Sequence, residues 1–287
     1  MGEHELVLDR FTVDDVMRIL GAAPIASPVI LPAQLTAALP AALPMALPVA
    51  LPVALPEAKP LTVPVAQADH KKPAAVGAWP SGLEVGRSDS ELFAGPLAEL
   101  TTLPAVARAT ATCTRCPLSS TAIQTVPGEG PETAGLVCVG EAPGAREDET
   151  GRPFVGQAGK LLDKILAAIG LAREQVFICN VLKHRPPSNR NPRPEEVAAC
   201  SPFLVRQLEI IRPRVIVAFG TFAAQTLLDT TLAIGKLRGQ VHRYYGVPLI
   251  VTYHPAALLR NPNWKRPTWD DVRYARRILD GATPVRA

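Results

Sequence analysis

Three short stretches concentrate residues that can hold or attack a ligand. In residues 140–159, GEAPGAREDETGRPFVGQAG, Gly140, Pro143 and Gly144 let backbone come close to a bound molecule, and Phe154 offers an aromatic face between Gly151 and Gly156. Their spacing matches neither the phosphate loop of nucleotide hydrolases nor the dinucleotide fingerprint, which argues against nucleotide hydrolysis and hydride transfer. Residues 180–192, NVLKHRPPSNRNP, begin with Asn180, whose amide donates and accepts at once, as reading the Watson–Crick edge of a pyrimidine requires. Taken singly, Asn180 and Asn189 are better read as ordinary turn residues. In residues 252–260, TYHPAALLR, His254 ends an apolar run that Pro255 stops. A histidine there is either a hydrogen-bonded structural residue or a catalyst.

What these stretches can do depends on the elements that position them. Short apolar runs rich in β-branched residues predict strands at 136–139, 176–180, 215–219 and 248–252, and helical periodicity fills 156–169, 193–211 and 222–228. Alternating strands and helices predict an α/β fold, a three-layer α/β/α sandwich around a mainly parallel four-stranded sheet. In such sheets ligands gather at the carboxyl ends of the strands, and three of these strands run straight into the three clusters.

The chain is divided in composition. Residues 1–100 carry 6 Lys and Arg against 11 Asp and Glu, leaving 24 against 15 for the remainder. A basic surplus in the part that holds the clusters suits a polyanionic partner. Residues 1–21 predict a short amphipathic helix, capped by Thr12 with Asp14 and Asp15 in its first turn. Residues 22–91 read as a Pro/Ala-rich linker, with prolines at 40, 44, 48, 52, 56, 60 and 64 denying both helix and central strand. The tract is a spacer or, being apolar, a site for a protein partner. Residues 92–287 form the remaining domain. The acidic start lacks the features of an export signal, and proline or charge interrupts every run of about 18 apolar residues, so a cytoplasmic monomer with no membrane contact is expected.

Together, GEAPG with GRPFVGQAG, the NVLK, RPP and NR segments, and HPA with LLR resemble the family 4 uracil-DNA glycosylases over roughly residues 108–282. The resemblance implies a monofunctional DNA repair enzyme that flips uracil out of DNA and hydrolyses its N-glycosidic bond, leaving an abasic site. A non-catalytic binder of uracil-DNA or single-stranded DNA on the same fold is the alternative. Phe154 would stack on the base, Asn180 would bond its edge, and Glu141 and Ala142 would lie beside the sugar and the attacking water, next to Gly140. Asn189 would support the site, and His254 would stabilise charge building on uracil O2. Better-known superfamily members carry an aspartate where this chain has Ala142; family 4 also lacks it. Lys183, Arg185, Arg190 and Arg260 are candidate phosphate contacts, and Leu258 or Leu259 a candidate wedge into the base stack.

A CxxC at Cys113 and Cys116, with Cys200 far downstream, fits zinc, a redox pair or an iron-sulfur cluster. The family places a 4Fe-4S cluster there, with a fourth cysteine where this chain has His184. The resemblance therefore implies that His184 completes the ligand set with Cys113, Cys116 and Cys200, zinc being the lesser occupant. Cys179 is the rival for the fourth position, but it precedes Asn180 on a buried strand and should point elsewhere, and Cys138 likewise sits inside a strand and reads as a core residue. A related group that traps uracil-DNA covalently also has histidine at this position, but carries a basic insertion that this chain lacks between Asn189 and Pro192.

Overall fold

The protein is described by a computed structural model covering residues 79–86 and 97–281. The helix expected at 12–20 and the run of evenly spaced prolines lie outside the described residues.

Among the described residues six strands form one sheet: β1 (Ser81–Val85), β2 (Leu136–Gly140), β3 (Phe177–Asn180), β4 (Val215–Phe219), β5 (Val241–Tyr244) and β6 (Val247–Thr252). Their order is β1-β5-β6-β4-β2-β3, and every neighbouring pair is parallel except the β5–β6 hairpin. The helices are α1 (Leu103–Ala111), α2 (Ala145–Thr150), α3 (Gln157–Ala168), α4 (Pro194–Ile211), α5 (Thr221–Leu228), α6 (Ile234–Leu237), α7 (Pro255–Arg260) and α8 (Lys265–Leu279).

Because successive strand residues point to opposite faces, each central strand feeds two cores. Val137, Val139, Ile216 and Ala218 pack with Val106 of α1, Phe203, Leu204 and Leu208 of α4, and Leu227 of α5. Leu136, Cys138, Val215 and Val217 pack in a second core with Leu161, Leu162 and Ile165 of α3 and with Trp269, Val272 and Ala275 of α8. The α/β/α sandwich is therefore as expected.

The sheet has six strands, not four, and it starts inside the segment assigned to the linker. The two extra strands carry little apolar patterning. β5 (VHRY) holds the buried His242, whose Nδ1 accepts from Leu83 N at 2.9 Å while its Nε2 lies 2.7 Å from Leu237 O. These two bonds fix a neutral tautomer that pins β1 to β5. The hairpin turns on Tyr245 and Gly246, both at positive φ (48° and 80°), a two-residue turn built without the usual Asn-Gly signal.

Candidate active site

β2 and β3 are paired so that Gly140 lies opposite Asn180, which sets the first two clusters side by side. The third arrives from β6, across β4. β4 is followed by Gly220, where an added Cβ would come within 3.0 Å of His254 Cβ and where φ is 95°. A bare backbone here leaves His254 its place over the strand ends.

The result is one cavity of about 400 Å³ lined by Glu141, Ala142, Phe154, Asn180, Asn189, His254 and Arg260. Those seven residues, singled out from three separate stretches, converge there. Gly140 lies just beneath: a Cβ on it would meet both Asn180 Oδ1 (2.4 Å) and the Phe154 ring (2.5 Å). The rings of Phe154 and His254 stack with centroids 5.4 Å apart. The cavity that these groups line has room for a flat ring with a polar edge.

Three electrostatic features define what such a ring would meet. Asn180 is 1% exposed, and its Oδ1 has no hydrogen-bond partner, an acceptor held ready for a donor from a ligand. His254 Nδ1 accepts from Ala256 N at 3.2 Å at the start of α7. Burial, helped by the charge of Arg260, lowers its pKa to about 4, so near neutral pH the ring is uncharged and its Nε2 carries the hydrogen. Glu141 has no partner to offset its desolvation, and burial pushes its pKa up to about 7.

Four expectations about neighbouring residues change. Lys183 is 1% exposed, its Nζ bonded to Asn180 O (2.8 Å) and Gln207 Oε1 (2.7 Å), so it braces the strand end and cannot reach a phosphate. Arg190 is engaged by the buried carboxylate of Glu196 at the start of α4, at 2.5 and 2.9 Å, and holds the loop to that helix. Arg185 donates to Asn189 Oδ1 at 2.8 Å and steadies a residue that sits at φ 53°. Arg260 remains exposed at the cavity mouth. Of the two leucines, Leu258 is fully buried and Leu259 is 49% exposed, which leaves Leu259 as the side chain able to enter a base stack. Glu147, in α2, also lines the cavity; in sequence it is one carboxylate in the run AREDET, indistinguishable from a solvated helix face.

The cysteines form a separate group. Cys113, Cys116 and Cys200 share the first core, and the two CxxC thiols are near enough to raise the pKa of Cys200 electrostatically, behind the larger effect of burial. Cys200 Sγ accepts from Lys183 N at 3.1 Å, and the adjacent His184 is 6% exposed. Among the described residues, no group of three or more His, Cys, Asp or Glu side chains is arranged to hold a metal ion. Cys138 and Cys179 are fully buried in strands, with burial raising both thiol pKa values.

Residues 127–275 match the family model of the uracil DNA glycosylase superfamily. Over 176 residues, 58% of this chain and 88% of the relative, the sequence is 49% identical to a type-4 uracil-DNA glycosylase of Archaeoglobus fulgidus. It is 48% identical over 158 residues to the type-4 enzyme of Pyrobaculum aerophilum, covering 52% of this chain and 81% of that one. A third such enzyme, from Thermotoga maritima, is 47% identical over 171 residues, covering 58% and 89%.

Proposed function

This chain belongs to the uracil DNA glycosylase superfamily, and from that premise we propose how its residues excise uracil from DNA and leave an abasic site. The observation that carries the reading is the convergence of Glu141, Phe154, Asn180 and His254 on one cavity. Uracil turned out of the stack would lie on Phe154, with Asn180 Oδ1 accepting its N3 hydrogen. As the bond from C1′ to N1 breaks, the electron pair passes into the uracil ring. The neutral His254 donates from Nε2 to O2, where negative charge accumulates. Water adds to C1′, and its proton passes to Glu141. Ala142 has no carboxylate, and its neighbour Glu141 offers one, free of the backbone bonds that engage Glu147.

Incubation with a labelled uracil-containing oligonucleotide, then alkali, tests the activity. Strand cleavage is the expected result, and an intact strand with binding retained would leave only the non-catalytic binder. Glu141 adds a pH signature. Its carboxyl is charged above about pH 7 and protonated below, so the single-turnover rate should fall as pH drops through that value. In Glu141→Gln this limb should disappear, leaving a slower, flatter profile; a limb that survives the substitution removes Glu141 as the base.

We further propose that Cys113, Cys116, Cys200 and His184 hold a 4Fe-4S cluster. Three thiols packed on one core, with Cys113 and Cys116 close enough to act electrostatically on Cys200, and the amide donated to Cys200 Sγ support the thiolate part of this donor set, while His184 is added from the family resemblance. When bound, such a cluster supplies a cross-link between the start of the domain, the second-cluster loop and α4. A neutral imidazole replacing a thiolate should raise the reduction potential. His184→Ala should lower iron per chain, visible absorbance and melting temperature together; unchanged iron and absorbance would mean that His184 is not a ligand.

A further inference from the structure

Phe154 holds a backbone conformation that a bulky L-residue avoids, with φ at 50°. Such a conformation persists only where the surroundings enforce it. Two charged side chains from outside residues 153–156 grip this segment from its two polar sides. The Glu147 carboxylate Oε1 accepts from Val155 N at 2.8 Å and Gly156 N at 2.9 Å. The Arg173 guanidinium donates to the carbonyls of Pro153 and Phe154, the latter at 3.1 Å. Arg173 is in turn held by Asp163 at 3.0 Å and Glu129 at 3.4 Å, and its side chain is only 12% exposed. A third constraint is steric: a Cβ on Gly159 would lie 1.8 Å from Phe154 O.

We propose that Glu147 and Arg173 are positioning residues that clamp residues 153–156 from opposite sides and thereby set the Phe154 ring against Asn180 and His254. Both amides that follow Phe154, and the carbonyls of Phe154 and of the residue before it, are taken by the pair. The ring therefore has a fixed plane before any base arrives, and the base does not have to order it. This inference rests on the reading that Phe154 stacks on uracil.

The test is a double-mutant cycle on single-turnover excision, with Glu147→Ala and Arg173→Ala each made in the native chain and in Phe154→Ala. In the native background each should lower the rate about 10- to 100-fold, the scale of a misplaced reacting group. With Phe154→Ala already present, the further loss should shrink to about 2-fold, because the clamp then has no ring to set. Glu147→Gln, which keeps an accepting oxygen, should recover most of the rate. Arg173→Lys, which keeps the charge but cannot span both carbonyls, should recover little, and it stands in if Arg173→Ala does not fold. Equal losses in both backgrounds would mean general destabilisation and overturn the clamp, as would folded clamp variants of unchanged rate. An unchanged rate in Phe154→Ala alone would overturn the stacking reading and the clamp with it. Phe154→Ala slow but clamp effects additive would overturn the clamp only.

Discussion

His254→Ala should lower the single-turnover excision rate about 10²- to 10³-fold, or about 2.7–4 kcal/mol of transition-state stabilisation, while uracil-DNA binding changes little. The asymmetry follows from when the bond forms. A neutral imidazole beside a neutral carbonyl gains little in the ground state, but the same Nε2 hydrogen beside a developing anion in low-dielectric surroundings gains a great deal. Burial supplies the neutrality by lowering the pKa to about 4. The sign for stability follows from the same shift. The folded pKa lies below the unfolded value of about 6.5, so between those values the unfolded chain binds more protons. His254 therefore costs stability as pH falls through that window and costs nothing above it. In His254→Ala, melting temperature should fall less between pH 7 and pH 5 than in the native chain. Equal excision rates for variant and native chain would remove His254 from the chemistry.

The second large effect is expected at Asn180, where activity and stability should move in opposite directions. Its Oδ1 is buried without a partner, a cost to the empty protein that a bound base would relieve. Asn180→Leu has a similar shape and deletes both the acceptor and the donor. Excision should fall on the order of 10²-fold or more, because the base edge would lose its reader and be left unpaired in a dry pocket. The melting temperature should stay level or rise, since an orphaned polar atom is replaced by an apolar one. Thermal unfolding and single-turnover rates on the same preparation check both halves. A melting temperature that drops sharply would mean that Asn180 is a structural residue of β3.

The central strands and their helices were legible because their residues alternate into two apolar cores, as Val137 and Cys138 do. The three ligand-facing stretches were legible because each directly follows such a strand. β1 and β5 were not, since SGLEV and VHRY are short and mixed in polarity, and the His242 imidazole that adds to their backbone pairing finds its partner only in the fold. Lys183 was misread for a related reason: only the fold shows that Asn180 O and Gln207 Oε1 wait for its ammonium inside the protein. Arg173 carried no local sign at all. Its partners lie 10, 19, 20 and 44 positions away, distances that no motif spans.

Gly220 is a position whose expected importance comes with no functional group to recognise it by. A Gly220→Ala change deletes no charge, donor or ring, yet it would place a methyl 3.0 Å from His254 Cβ on a backbone at φ 95°. In a library of random variants scored by survival under uracil load, position 220 should therefore be as depleted of substitutions as the residues that touch the base. Drift among descendants of this sequence should be narrowest where the chain offers only empty space.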